Sequence, residues 1–312
     1  MLTAGHLTGA VAALAALFAL HHTYKARRGR STRIQLTEER VLILGASSGL
    51  GRTLAKQYVA RGAKVCVVAR RNEPLAELAK ECGERCLPFV GDFTDAADME
   101  KLRGQLLRQW DGLDTMHVCA GVSAVQPVMA LTGIRTGVED PDVAGVQRAV
   151  ETVTRATQGN FFGPFVAAVT FIPMMKRTSA SPVILLVSSI AAVVPAPTRA
   201  LYAATKAASL LLFQSLAIEH PEIAFTCMLP ATIEGNFRAS AVDADSSQEI
   251  DETSKKGLKV EYVARRCVGA VDQGLRGNVV IPRIPYAIAH HLYYIWPSFI
   301  ERQARKKYNF TA

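Results

Sequence analysis

The chain has no CxxC pair and no group of cysteines and histidines at zinc-ligand spacing. Cys82 and Cys86 are separated by three residues, and no second pair completes a metal set. Cys66, Cys119 and Cys227 lie in apolar runs, as buried free thiols do, and Cys267 stands alone. A disulfide scaffold is excluded, a reducing compartment fits, and no metal site is expected. Charge is also sparse. Charged residues make up 20% of the 312 and hydrophobic ones 49%, which excludes disordered and fibrous chains and leaves material for one large core. There is no internal repeat.

A basic face is lacking despite a net charge of +9. Lys25, Arg27, Arg28, Arg30, Arg33 and Arg40 against Glu38 and Glu39 give residues 21–40 a net +4. Arg302, Arg305, Lys306 and Lys307 against Glu301 give residues 299–312 a net +3, so the body keeps only +2. A nucleic-acid-binding domain carries its cations on the folded body. Here they sit at the ends, which points to a membrane surface and to no nucleic-acid partner.

Residues 1–20 contain no charged side chain at all. As a helix they would span about 30 Å, the thickness of a bilayer core. No Lys or Arg precedes the run and HHTYKARRGR follows it, which favours an uncleaved anchor over a signal peptide, with an interfacial helix as the other alternative. The positive flank then places the body on the cytoplasmic side. We read 1–20 as a transmembrane anchor, 21–38 as a basic linker, 39–282 as the domain and 283–312 as an aromatic and basic tail. In that tail Tyr286, Leu292, Tyr293, Tyr294, Trp296, Phe299 and Ile300 precede the final cations. Such a cluster suits a membrane interface, and equally a helix capping the domain or a dimer contact. His290 and His291 are adjacent and point to different sides of a helix, so they do not form a metal pair.

The body alternates short apolar runs with helical patterns. Strands are expected at 41–45, 64–69, 86–90, 113–120, 182–188, 223–229 and 278–281. Helices are expected at 49–61, 74–82, 95–109, 200–219 and 259–274, with a helix-rich stretch up to 176. This predicts an α/β fold: a single Rossmann-type doubly wound parallel sheet with helices on both faces. The polar segment 242–257 reads as a mobile loop or lid.

The first strand runs into GASSGLG. Gly45 permits a tight turn, Gly49 allows backbone to approach a phosphate, and Gly51 allows a helix to pack closely on the strand. The N–H groups at the helix start, beside Ser47, Ser48 and Leu50, suit a pyrophosphate. The second strand ends without a carboxylate, at Ala69-Arg70-Arg71. A carboxylate there would bind the ribose of NAD; Arg70 instead suits a 2′-phosphate, so NADP(H) is favoured. Asp92, after the third strand, is a candidate acceptor for an adenine amino group or a helix cap, with Asp95 competing for the cap. Tyr202 and Lys206 are four residues apart in a helical stretch and share a face. A Lys ammonium beside a phenol favours phenolate and makes Tyr202 a usable acid and base. Ser189 ends a strand, thirteen residues before Tyr202.

Taken in order, these motifs resemble the short-chain dehydrogenase/reductase family over residues 39–282. Leu44 stands where Thr is usual, and Cys119 replaces the Asn of the element completed by Ala120 and Gly121. The resemblance implies catalytic Ser189, Tyr202, Lys206 and Asn160. It also implies cofactor contacts from the glycine loop, Ala120, Gly121, Tyr202, Lys206 and the backbone of Ile233. NADPH would give a hydride to a carbonyl carbon, with Ser189 on the carbonyl oxygen and Tyr202 as proton donor. Lys206 would lower the Tyr202 pKa and bind the ribose, and Asn160 would hold a relay water. Gly121 to Asn160 is 39 residues, which suggests a loop over the mouth or an interface element. The anchor and tail are similar to those of membrane-bound members that act on sphingoid, steroid or acyl-lipid substrates, which implies the endoplasmic reticulum membrane and a possible homodimer. A catalytically silent NADP-binding sensor or scaffold is the alternative.

Overall fold

The computed structural model describes residues 30, 33–134, 139–244 and 257–310. The expected anchor, most of the basic linker and most of the polar segment 242–257 lie outside the described residues.

Seven strands form one parallel sheet. They are β1 (Arg40–Leu44), β2 (Lys64–Ala69), β3 (Cys86–Val90), β4 (Thr115–Val118), β5 (Val183–Val187), β6 (Ala224–Pro230) and β7 (Gly277–Ile281), in the spatial order β3-β2-β1-β4-β5-β6-β7. The helices are α1 (Gly49–Ala60), α2 (Asn72–Cys82), α3 (Ala96–Trp110), α4 (Val143–Thr157), α5 (Gly163–Thr178), α6 (Ala200–Glu219), α7 (Val260–Asp272), α8 (Arg283–Ile295) and α9 (Pro297–Lys307). Successive strand residues point to opposite faces. Leu42 and Leu44 pack with Met116, Phe171, Phe213 and Phe225 on one side; Val41 and Ile43 pack with Leu54, Tyr58, Val263 and Cys267 on the other. Both faces are covered, so the central strands read as unbroken apolar runs rather than alternating ones. The strand order reverses between β1 and β4, and ligands of such sheets bind at the carboxyl ends of the strands near that point.

The expected helix-rich stretch before residue 176 resolves into α4, a π-helical turn over Gln158–Phe162, and α5. The tail forms α8 and α9. Ile300 is buried and the His290 Nδ1 lies 3.1 Å from the Val193 carbonyl oxygen, so this segment packs on the domain as capping helices do. Ile284, Ile288, Tyr294, Ile295 and Trp296 nonetheless remain exposed on it. Helix α6 is apolar and long enough to cross a membrane; Leu201, Leu210 and Phe213 bury one face of it in the domain, while Leu211 and Ile218 are exposed.

The edge opposite the crevice holds a buried polar network. The Glu39 carboxylate accepts hydrogen bonds from Arg30, Arg61 and Thr115. Arg30 also donates to the carbonyls of Ser181 (2.8 Å) and Asp114 (3.0 Å), which ties the end of the linker beneath β4 and β5. Nearby, His117 of β4 is fully buried, with Nε2 2.8 Å from the Tyr58 hydroxyl. Burial, aided by Arg61 and Arg30, lowers its pKa to about 3. An unfolded histidine binds its proton near 6.5, so below that pH the unfolded state holds more protons and native stability falls as pH drops. Between pH 7 and pH 4 the wild type should lose about 3 kcal/mol more than His117→Gln, which does not titrate. Urea midpoints at the two pH values check this, and equal losses would contradict it.

Candidate active site

The turn after β1 places three glycines within reach of one another. Gly45 has a φ of +89°, and a Cβ there would meet the backbone of Ala120 at 2.6 Å. A Cβ on Gly51 would run into the Gly45 carbonyl oxygen, so α1 can lie this close to β1 only with glycine at 51. Gly49, with a φ of +52°, has open space where its Cβ would be. Ser48 caps α1 with backbone only, and its side chain makes no cap hydrogen bond. The first N–H groups of α1 are therefore left to an anion. Ala120 is held by its own N–H, which donates to Leu44 O at 2.8 Å.

At the end of β2, Arg70 is 73% exposed on its side chain and lies 3.9 Å from Asp92. Arg71 donates to Ser47 Oγ at 3.1 Å and so leans over the glycine loop. Asp92 accepts from the N–H and hydroxyl of Thr94, both at 2.9 Å, and thereby shapes the turn. The cap of α3 is Asp95, which accepts from Asp98 N at 2.8 Å.

Asn160 sits in the π-helical turn and is fully buried. Single π turns commonly re-aim a side chain at a functional site. Its Oδ1 accepts from Val122 N (2.9 Å), and its Nδ2 donates to Val122 O (2.9 Å) and Thr205 Oγ1 (3.0 Å). Lys206, next along α6, donates from Nζ to Val187 O at 3.0 Å. Gly121 closes the group: a Cβ there would lie 2.8 Å from Asn160 Oδ1 and 2.9 Å from Lys206 Nζ. Burial lowers the Lys206 pKa to about 8, against a smaller opposing effect of the Cys119 thiol.

Ser189 follows β5 and its Oγ accepts from Ala191 N at 3.2 Å. Tyr202 is buried, with its ring edge-on to Phe237 at 6.1 Å between centroids. Burial raises its pKa, whereas Arg199, a hydrogen bond with Ser189, and Arg238 lower it. The charge beside the phenol was expected from Lys206. Lys206 instead turns its ammonium to the end of β5, and the cation over the Tyr202 ring is Arg199, 4.3 Å from its centroid. Sequence reasoning passed over Arg199 because its placement depends on Ser123, to whose Oγ it donates at 3.0 Å from the loop after β4. The spacing Arg199-x-x-Tyr202 was the available signal.

Residues 39–246 match the family described as short chain dehydrogenase. The chain belongs to the short-chain dehydrogenase family. It is accordingly an oxidoreductase. Over 284 residues it is 28% identical to the protein "Dehydrogenase/reductase SDR family member 7B" of Bos taurus, covering 86% of this chain and 82% of that one. It is 31% identical over 251 residues to "11-beta-hydroxysteroid dehydrogenase-like 4A" of Arabidopsis thaliana, covering 77% and 75%. Its fold is similar to that of 3-ketoacyl-(acyl-carrier-protein) reductase from Brucella melitensis, solved with NADH, at a TM-score of 0.63 and 22% identity over 78% of this chain and 96% of that one. An alcohol dehydrogenase from Thermococcus sibiricus, solved with 5-hydroxy-NADP, gives a TM-score of 0.60 at 21% identity.

The long stretch between Gly121 and Asn160 departs from a plain loop. It contains a short 3-10 turn over Met129–Thr132 and then α4, capped by Asp142. Residues 135–138 lie outside the described residues. The start of the stretch is stitched to the segment after β6: Val125 and Gln126 donate backbone N–H groups to the Asp243 carboxylate at 2.9 Å, and Val242 N donates to Ser123 O. Ile233 in that segment bridges to Leu258 through its backbone.

Proposed function

We propose that this short-chain dehydrogenase is an NADP(H)-dependent enzyme that interconverts a ketone and a secondary alcohol on a lipophilic substrate. The observation that carries this reading is the gathering of Asn160, Lys206 and Gly121 with Ser189 and Tyr202 at the carboxyl ends of β4 and β5, beside an uncapped glycine loop. The residues present fit such a cofactor. Gly49 leaves an open cradle, the start of α1 has N–H groups to spare for a pyrophosphate, and β2 ends in Arg70 and Arg71 without a carboxylate. Arg70 and Arg71 suit a 2′-phosphate, and the backbone at Ala120, Gly121 and Ile233 would flank the nicotinamide half. When bound, the nicotinamide supplies or takes the hydride.

The remaining chemistry belongs to side chains. Ser189 donates a hydrogen bond to the carbonyl oxygen and polarises it. Tyr202 gives its phenolic proton to the oxygen as negative charge develops there. Lys206 reaches the ribose hydroxyls, and Asn160, held by Val122 and Thr205, orients a water that returns the proton. The lipophilic substrate is supported by the named relatives and by the exposed Tyr294, Ile295 and Trp296 on the tail. These apolar and aromatic side chains, with the charge-free run over 1–20, support attachment to the endoplasmic reticulum membrane with the domain in the cytoplasm. An exposed stripe of Val146, Val150 and Val153 on α4, with Phe165 and Val169 on α5, supports a homodimer.

The test is NADPH oxidation by the full-length protein in detergent, offered 3-keto sphingoid bases, ketosteroids and acyl-dihydroxyacetone phosphates. At least one class should be reduced, with NADPH preferred over NADH. Tight NADPH binding without turnover of any class would overturn the proposal and point to a sensor.

A further inference from the structure

Arg199 is a cation taken out of water with no carboxylate among the described hydrogen-bond partners of its guanidinium. It is only 6% exposed, and the one described hydrogen bond of its guanidinium runs from Nη1 to the neutral Ser123 hydroxyl. The nearby acid, Asp243, accepts from the N–H groups of Val125 and Gln126 rather than from the guanidinium, and it acts on Arg199 more weakly than Tyr202 does. A buried charge is costly unless something of opposite sign meets it. What the guanidinium does meet is the face of Tyr202, 4.3 Å from the ring centroid.

We propose that the counter-charge of Arg199 is the Tyr202 phenolate, so that Arg199 is a positioning residue that sets how readily Tyr202 releases its proton. This rests on the reading of Tyr202 as the proton donor. While the phenol is neutral, the contact is a cation–π interaction. When the proton leaves, the same contact becomes a pairing of full charges, so Arg199 favours the ionised form selectively. A carboxylate hydrogen-bonded to the guanidinium would weaken that effect. Ser123 holds the guanidinium in place without doing so, and Lys206 is left free for its position by Val187 and Gly121. The other groups facing the phenol do not replace Arg199. Ser189, from the loop after β5, contributes a hydrogen bond, Arg238 a weaker cationic effect, and Tyr308, from the end of α9, acts in the opposite direction.

The test follows tyrosinate absorbance of the full-length protein from neutral to alkaline pH, with the curve of Tyr202→Phe subtracted to isolate Tyr202. In Arg199→Met the Tyr202 ionisation constant should fall by about tenfold or more, moving the midpoint upward by at least about one pH unit or beyond the readable range. Arg199→Lys, which keeps the charge, should lie closer to the wild type. Ser123→Ala, which withdraws the anchor, should shift the midpoint in the same direction as Arg199→Met and carries the test if that variant does not fold. An unchanged midpoint in a folded Arg199→Met, or in Ser123→Ala where Arg199→Met does not fold, would overturn the proposal. So would a wild-type Tyr202 that never ionises before the chain unfolds. A purely structural Arg199 would lower the melting temperature and leave the midpoint in place. Should Tyr202→Phe keep its turnover, the catalytic reading fails while the titration still decides whether the two side chains are coupled.

Discussion

Tyr202→Phe should lower turnover by about a thousandfold and leave NADPH binding within about twofold of the wild type. A positioned general acid contributes about 10²–10⁴-fold, and on the proposed reading the Tyr202 phenol is that acid. Phe keeps the ring that packs edge-on to Phe237 and under Arg199, so the change removes the hydroxyl, with its hydrogen bond to Ser189, and leaves the ring packing. The glycine loop and α1 are untouched by it. Single-turnover rates with the best ketone from the substrate panel, alongside cofactor fluorescence titration, check both halves. Retained turnover would remove Tyr202 from the mechanism. Lost cofactor binding would mean that its hydroxyl holds the cofactor rather than the reacting oxygen.

Glu39→Ala should be the most damaging single change to stability, at about 3–5 kcal/mol. Glu39 is fully buried and meets Arg30, Arg61 and the Thr115 hydroxyl at the edge of the sheet away from the crevice. Deleting it leaves two cations facing each other out of water. Arg61 keeps Asp272 as a second partner at 2.8 Å, whereas Arg30 keeps only carbonyl groups among its described partners. Arg30 should therefore release, and the linker with it. Urea unfolding would show a lowered midpoint, with new protease sensitivity near residue 30. A variant as stable as the wild type would mean that the network is neutral to the fold.

The sheet was legible because its strands are buried on both faces. VLIL, VCVVA and VILLV have no other comfortable environment, and the loops between them are punctuated by glycine. The glycine turn and the Tyr202–Lys206 spacing were legible because each is local: one turn of strand-to-helix, one turn of helix. Asn160 was found only through the resemblance, since no helical period announces a π turn. Arg199 was missed because its meaning depends on Ser123, 76 residues earlier in the chain. The direction of the Lys206 ammonium was missed for a related reason. It is set by the Val187 carbonyl and by the missing Cβ of Gly121, neither of which shares its helix. The tail was ambiguous because an aromatic face that packs on a domain and one that meets a membrane have the same composition; α9 buries Ile300, while α8 buries no residue and exposes Ile288, Tyr294 and Ile295.

The most direct test of the account is hydride transfer itself. The full-length protein in detergent is given a lipid extract and NADPH that carries deuterium at the transferable position of the nicotinamide, and products are read by mass spectrometry. The account predicts a lipid alcohol that has gained two hydrogens, one of them deuterium bonded to the carbinol carbon, formed by the wild type and not by Tyr202→Phe. Deuterium that stays on the cofactor, with no lipid reduced, would contradict it.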